Sequence, residues 1–234
     1  MSFDPDLALE AAMRTFWQAG YEGASIAVLT AAMGINRRSM YETFGAKEQL
    51  FAVAVRRYLA GPGAFPAHAL RQPTAFAVCS AFLHGAARAY TCEDTPRGCL
   101  LTRAALAAGP QAGGACEHLA ALRRQAQQEL QERLERAGEL GELTTGASAE
   151  DLARYLVIVG QGMSVQAVGG ASREDLRAVA DGVLSHLPVL PPQEPPVGHL
   201  RVEDLKLEDP RVEDLRAEPL EDLSVSALAD EPTS

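Results

Sequence analysis

The chain has 234 residues, of which 47% are hydrophobic and 22% are charged, and its formal net charge is −10 at pH 7. This apolar content is sufficient for one or two packed domains and excludes a chain that is disordered throughout. Residues 188–234 contain 12 acidic and 4 basic residues, whereas residues 1–60 carry six of each sign. The overall acidity therefore does not exclude a small basic surface for nucleic acid near the N-terminus.

The composition argues against several other classes of protein. The longest apolar stretch, residues 156–168, is interrupted by two glutamines, so no membrane-spanning helix is expected. The acidic N-terminus does not resemble a secretory signal, which favours a cytoplasmic protein. The cysteines at positions 79, 92, 99 and 116 match no disulfide or metal-site spacing, so we expect reduced thiols and neither metal nor cofactor. No nucleophile with its base and no phosphate loop is present, so an enzyme is not expected.

Capping residues predict three helices in the first 45 residues. Each predicted helix follows a residue whose side chain can accept hydrogen bonds from the first turn, and each ends at a glycine. The capping residues are Asp4, Ser25 and Asn36, and the terminating glycines are Gly20, Gly34 and Gly45. Because only Gly34 and Ile35 separate the second helix from the third, the two helices form a helix-turn-helix.

Helical periodicity continues through most of the remaining chain. A fourth helix is predicted over 47–60, and glycines and prolines predict a hinge at 61–72. Five further helices are predicted at roughly 73–91, 96–108, 115–138, 148–169 and 173–187. No segment alternates long enough to be a strand, so the predicted fold class is all α. The predicted domains are 1–60 with the helix-turn-helix, 73–187 with the later helices, and a tail from 188 to 234.

The tail has a composition of its own. It holds 8 of the 14 prolines and repeats a five-residue pattern, Arg-Val-Glu-Asp-Leu, beginning at Arg201. A period of five fits neither a helix nor a strand, and Pro210 and Pro219 would interrupt a helix. We therefore interpret residues 188–234 as a disordered acidic tail.

Several N-terminal residues fall in a recognisable order and spacing, namely Gly20-Tyr21, Ser25, Gly34-Ile35, Tyr41 to Phe44 and Lys47-Glu48. In this pattern, residues 7–58 resemble the tetracycline-repressor (TetR/AcrR) family of one-component bacterial regulators. Residues 73–187 are similar to the effector-binding and dimerisation domain of that family in the number and length of their helices. The resemblance implies a homodimer on double-stranded operator DNA, with helix 37–44 in the major groove and an unidentified small molecule as effector.

The first turn of helix 37–44 is the predicted contact to DNA bases. In helix-turn-helix docking this end of the second helix meets the base edges, and an arginine can donate two hydrogen bonds to guanine. By the resemblance, Tyr41 and Lys47 contact phosphates, and Thr43 and Ser25 lie at the edges of the groove. The predicted set is Ser25, Asn36, Arg37, Arg38, Ser39, Tyr41, Thr43 and Lys47. For Ser25 and Asn36, helix capping alone is an equally good explanation.

Broad apolar stripes on helices 148–169 and 173–187 suit a symmetric four-helix bundle between two subunits. The candidate interface residues are Leu152, Val159, Met163, Leu176, Val179 and Val183. The alternative is that both helices are buried within one subunit, and the resemblance favours the dimer.

Cys99 is the candidate sensor thiol. Thr95 and Pro96 have the character of an N-cap and a first helical residue, which would place Cys99 one turn into a helix with Arg97 beside it. Both features would stabilise a thiolate. The alternative is a buried and inert thiol.

The sequence thus favours a ligand-responsive transcriptional regulator, a repressor released from its operator by a small molecule or by thiol modification. The alternative is a helical protein-interaction module whose helix-turn-helix no longer binds DNA. The neutral charge of residues 1–60 favours this alternative, as does the acidic start of the chain, where members of the family commonly carry a basic arm.

Overall fold

The computed structural model describes residues 3–106 and 113–191, and within these ranges it contains ten α-helices and no strand. The predicted all-α fold is confirmed. The helices are α1 (Pro5–Gly23), α2 (Ile26–Met33), α3 (Arg37–Phe44), α4 (Lys47–Ala60), α5 (Phe65–Ala69), α6 (Ala75–Tyr90), α7 (Leu100–Leu106), α8 (Gly113–Glu139), α9 (Ala149–Val168) and α10 (Arg173–Leu184). No helix in these ranges has the length and apolarity needed to cross a membrane. The predictions for the tail beyond residue 191 and for the Cys116 side chain lie outside the described residues.

The first three helices begin where the capping pattern predicts. The side chains of Asp4, Ser25 and Asn36 accept hydrogen bonds from backbone N–H groups in the first turns of α1, α2 and α3, at 2.8, 3.3 and 2.9 Å. Gly34 adopts the left-handed conformation (φ 66°) and closes α2. Gly20 (φ 72°) interrupts α1, although helical turns resume as far as Gly23. The helix-turn-helix therefore follows from local sequence.

Buried side chains form two clusters. The first joins α1, α2, α3 and α4 to α7 and the beginning of α8, and in it the rings of Trp17 and Tyr58 meet edge to face at 4.8 Å. The second joins α5, α6, α9 and α10 to the end of α8, around Leu83 and Leu156. Cys99 packs against both clusters, so it lies where the two cores meet.

Two predicted boundaries were wrong. The predicted hinge contains the short helix α5, since Pro66 lies in its first turn, where proline favours a helix start rather than a stop. The helix predicted from residue 96 begins only at Leu100. The cause is Gly98, whose φ of 82° is incompatible with a right-handed helix and whose N–H donates to the carbonyl of Tyr90 at 2.9 Å.

The folded part also extends past the predicted boundary at residue 188. Val189 is only 7% exposed and forms an isolated antiparallel bridge with Leu143. The N–H of Leu190 donates to the carbonyl of Glu142 at 2.8 Å. Residues 188–191 therefore belong to the second helical domain rather than to the tail.

This boundary predicts a difference between two truncations. Deleting residues 188–234 is expected to cost about 2 kcal/mol more than deleting 192–234, because it also removes the buried Val189. For a domain of this size the additional loss corresponds to roughly 4–8 °C in Tm. Differential scanning calorimetry of both truncations and of the full chain measures it. Equal Tm values for the two truncations would contradict the packing of Val189.

Candidate nucleic-acid interface and adjoining cavity

The orientation of α3 is set by Met40, which is fully buried in the first cluster. The arginines in the first turn of α3 therefore point to solvent. Arg38 donates through Nε to Glu42 Oε1 at 2.7 Å, an exposed pair one turn apart. Among the described residues, no carboxylate lies within salt-bridge distance of Arg37. The structure thus presents two guanidinium groups at the N-terminal end of α3, where the helix dipole also favours an anion.

The other predicted DNA contacts differ in their exposure. Ser25 and Asn36 are exposed, but their side-chain oxygens cap α2 and α3. Tyr41 and Thr43 are exposed, and Ser39 is half-buried. The capping role, which the sequence had left open for Ser25 and Asn36, is therefore present in the structure.

Lys47 lies at the first position of α4 and is held by an aromatic ring. Its Nζ lies 4.4 Å from the ring centroid of Tyr21, a cation–π contact. Burial lowers the pKa of Lys47, and nearby Glu22 opposes this shift. The Tyr21 ring thereby fixes the ammonium group beside the helix-turn-helix.

An ion-pair network ties α1 to α4 and to the loop before α7. Arg57 contacts Glu10 and Asp6, each at 3.0 Å, and Arg14 contacts Glu10 at 2.9 Å. Burial alone would raise the pKa of Glu10, but hydrogen bonds from Arg57 and Arg14 outweigh it and hold that pKa below its usual value. Arg14 also donates to the carbonyl of Asp94 at 2.7 Å. The helices that support α3 are thus linked directly to the 91–99 loop.

The 91–99 loop is anchored on α9 as well. Arg97 donates to the carbonyl of Ala167 at 2.8 Å and to that of Ala171. The N–H of Cys99 donates to Ser164 Oγ at 2.8 Å. The hydrogen bonds of Arg97 thus go to backbone carbonyls at the carboxyl end of α9 rather than to the Cys99 thiol.

Cys99 itself directly precedes α7, rather than lying one turn inside it as predicted. Its carbonyl accepts the first helical hydrogen bond, from the N–H of Arg103 at 2.9 Å. The half-buried thiol neighbours the hydroxyl groups of Tyr58 and Tyr90. Burial raises the pKa of each tyrosine well above the usual value for a tyrosine, and the neighbouring Cys99 thiol raises it further.

A small cavity of about 100 Å³ opens beside this cysteine, between α4, α5, α6, α7, α8 and α9. Its wall includes Tyr58, Phe65, Phe82, Tyr90, Cys99 and Gln161. The Tyr58 hydroxyl is buried beside the Cys99 thiol, and within the described residues it makes no hydrogen bond of ordinary geometry. In the sequence, Tyr58 stands at helical spacing from Leu50, Phe51, Ala54 and Val55, which indicates only an apolar helix face. The hydroxyl group of this tyrosine, on an otherwise apolar helix face, was the only sign in the sequence that it could line a ligand cavity.

The predicted subunit interface needs correction. Leu152, Met163 and Leu176 are buried within the subunit, at 4%, 2% and 1% exposure, so they cannot contact a partner. Val159 and Val183 are half-buried, and Val179 is exposed. The exposed apolar side chains of these two helices are instead Tyr155, Ile158, Val165, Val168 and Val179. We name this set the α9–α10 face.

The glycine turn between α2 and α3, the outward arginines of α3 and the supporting helices α1 and α4 define a helix-turn-helix DNA-binding protein with a second, helical domain. Residues 8–54 match the model for bacterial regulatory proteins of the tetR family, and residues 76–182 match the tetracyclin repressor-like C-terminal domain.

Individual relatives agree with this class. The HTH-type transcriptional repressor ComR of Escherichia coli K12 is 32% identical over 190 residues, which cover 80% of this chain and 90% of ComR. A cysteine mutant of the TetR family transcriptional regulator CifR, solved with 26-bp operator DNA, is 38% identical, with a TM-score of 0.76 over 80% of this chain and 99% of that one. A regulator from Chloroflexus aurantiacus J-10-FL, 21% identical, shares the fold with a TM-score of 0.67 over 80% of this chain and 96% of its own.

The chain belongs to the TetR family of bacterial regulatory proteins and is a DNA-binding transcriptional regulator. The family predicted from residues 7–58 is confirmed. The homologues named here are regulators rather than enzymes.

Proposed function

We propose that this regulator is a homodimeric repressor that binds its operator through the first turn of α3 and is released by a molecule that enters the Cys99 cavity. The observation that carries the proposal is the outward arginine pair of the helix-turn-helix. ComR is a transcriptional repressor, and CifR has been solved on operator DNA, which supports the same role here. Operator DNA lies in the bacterial cytoplasm, so the proposal places the protein there and assigns it no catalytic role.

Each arginine has its own relation to DNA. Arg37 is poised to meet a base edge directly, whereas Arg38 must first exchange Glu42 for its DNA partner. Tyr41 lies one turn after Arg37 on the same flank of α3 and supplies a hydroxyl at the edge of this surface. Lys47, held by the Tyr21 ring, supplies a charge for a phosphate. Bases are thus read by α3 and the backbone by its neighbours.

Replacing Arg37 or Arg38 by alanine is expected to weaken operator binding by about 1–3 kcal/mol per half-site, because a bidentate contact to guanine is lost. The Lys47→Gln variant should weaken binding to operator and to unrelated DNA by the same factor, since a phosphate contact carries no sequence information. Fluorescence anisotropy at fixed salt measures both affinities, and Arg124→Ala, an exposed arginine of α8, is the matched control. Equal losses on both DNAs for the arginine variants would show that they touch only phosphates.

The α9–α10 face is the proposed dimer interface. Its side chains form a stripe along α9, where Tyr155, Ile158 and Val165 lie on one flank, and continue on α10 at Val179. A Cβ added at Gly162 on the same flank of α9 would meet no atom within 4 Å of its own subunit, so this position allows close approach of a partner helix. A patch of this kind on a subunit surface favours protein–protein contact.

The Cys99 cavity is the proposed effector site because of what surrounds it. It lies where the two cores meet, and the loop that ends at Cys99 is tied to α1 by Arg14 and to α9 by Arg97. A molecule that fills the cavity, or a group attached to the thiol, would displace this loop and with it the support of α3. Tyr58, Tyr90 and Gln161 are polar residues of the cavity wall that would orient such a molecule.

Thiol modification is tested with iodoacetamide at neutral pH. The treated protein is expected to lose operator binding, the Cys99→Ser variant to bind DNA normally and resist the reagent, and the Cys92→Ser control to behave like the unmodified sequence. Burial raises the pKa of Cys79 to about 12, so this thiol does not compete for the reagent. Release of DNA from the Cys99→Ser variant would return Cys99 to the role of a core residue and leave non-covalent binding as the release mechanism.

A further inference from the structure

A second concave surface lies on another face of α6. Two adjoining cavities of about 650 and 570 Å³ share Gln72, Ala81, Arg88 and Arg173, so together they form one groove between α5, α6 and α10. None of these four residues lines the Cys99 cavity. We call this surface the basic groove. Each of its two parts has the size of a small-molecule site.

The groove wall carries several positive charges. Its walls include Arg88 from α6 and Arg173 and Arg177 from α10. In the part of the chain that the structure describes, none of these guanidinium groups has a carboxylate within salt-bridge distance. Arg173 donates to Thr91 Oγ1 at 3.2 Å. Asp181 of α10 contacts His84, another residue of the groove wall, at 2.9 Å.

The floor of the groove is apolar. Phe76, Ala77 and Ala81 from α6 line one part, and Phe65 from α5 lines the other. Apolar side chains beside several arginines suit a ligand with an anionic head and a hydrophobic body, since arginine pairs bidentately with planar anions.

The proposed dimer leaves this groove open. On α10 the buried stripe consists of Leu176, Ala180 and Leu184. At 100° per residue, Arg177 lies on one flank of this stripe and Val179 on the other. A partner that covers the α9–α10 face at Val179 therefore leaves Arg177 uncovered.

We propose that the basic groove is a second ligand site of this regulator, and that it takes a small organic acid whose anionic group is held by Arg173 and Arg177 and whose apolar body rests on α6. The site shares Phe65 with the Cys99 cavity, but Arg173 and Arg177 do not line that cavity, and the proposal does not depend on the proposed release mechanism. Charge complementarity argues for an anion, and the volume of the groove argues for a small molecule.

The test uses 8-anilinonaphthalene-1-sulfonate, an aromatic anion whose fluorescence rises on binding, with the full chain. The double variant Arg173→Gln, Arg177→Gln is expected to bind it at least about tenfold more weakly, because charge-assisted hydrogen bonds are lost. Arg154→Gln, on α9 and paired with Glu150 and Asp151, should bind it normally. N-phenyl-1-naphthylamine, which has the same aromatic body without the sulfonate, should bind the unsubstituted chain and the double variant equally.

Three results would overturn the proposal. The first is equal affinity of the aryl sulfonate for the unsubstituted chain and the double variant. The second is an equal loss for the neutral amine in the double variant, provided that circular dichroism shows it folded, because the effect would then not concern charge. The third is stronger competition by a glutamate-rich peptide than by naphthalene sulfonate, which would assign the groove to an acidic protein segment.

Discussion

Replacing Gly98 by alanine is expected to lower the free energy of unfolding by about 2–5 kcal/mol. The φ of 82° at this position costs a residue with a side chain roughly 1–2 kcal/mol. The added Cβ would also lie 2.7 Å from Val168 Cγ2 and 2.9 Å from the backbone oxygen of Ser164. Because the backbone of α9 cannot shift without disturbing its helix, the overpacking adds about 1–3 kcal/mol to the loss.

Gly141 provides the matched control for this prediction. It also has a positive φ, of 73°, but an added Cβ would meet no atom within 4 Å. The Gly141→Ala variant should therefore pay only the conformational cost of about 1–2 kcal/mol. Urea denaturation followed by circular dichroism compares the two variants. Equal losses would mean that the 91–99 loop moves away from α9 freely, contrary to the anchoring described above.

The Ile158→Asp variant is expected to dissociate the dimer and to weaken operator binding by about 100-fold or more. Ile158 is 58% exposed on the subunit surface and lies in the middle of the α9–α10 face. In a symmetric interface one substitution buries two unpaired carboxylates, which the apolar contact cannot compensate. Each subunit would then hold a single half-site, and the gain from binding two half-sites together would be lost.

Sedimentation of the variant and operator titration check this result. Leu140→Asp is the control, because Leu140 is 75% exposed at the end of α8, outside the α9–α10 face. Its introduced charge should leave both association and DNA binding unchanged. An Ile158→Asp protein that is folded and still sediments as a dimer would refute the assignment of this face.

Local signals were sufficient for the DNA-binding helices. Capping side chains and left-handed glycines act within four residues of a helix end, so Ser25, Gly34 and Asn36 could be interpreted from the sequence alone. The conformation of the 91–99 loop could not be predicted in this way, because it depends on groups that are far away in the sequence. Thr95 and Pro96 imitate a helix start, whereas the loop is set by contacts of Arg97 and Cys99 with α9.

The subunit interface shows a different limit. Periodicity identifies an apolar helix face but does not say whether that face meets its own subunit or another. On α9 the apolar residues occupy more than one flank, and Leu152 and Met163 turned out to be core residues whereas Tyr155 and Ile158 are exposed. The Cys99 cavity could not be predicted from the sequence either, because residues from six different helices line it.

The first core cluster has a consequence for which part of this chain can fold alone. Leu100 and Leu101 of α7 and Leu119 of α8 are buried with the side chains of α1 and α4. A fragment ending at residue 60 would lose these partners and leave Trp17 and Tyr58 with water on one side. The DNA-binding region is thus a unit of recognition but not an autonomous folding unit. Its amides should exchange with solvent in the same cooperative opening as those of α7.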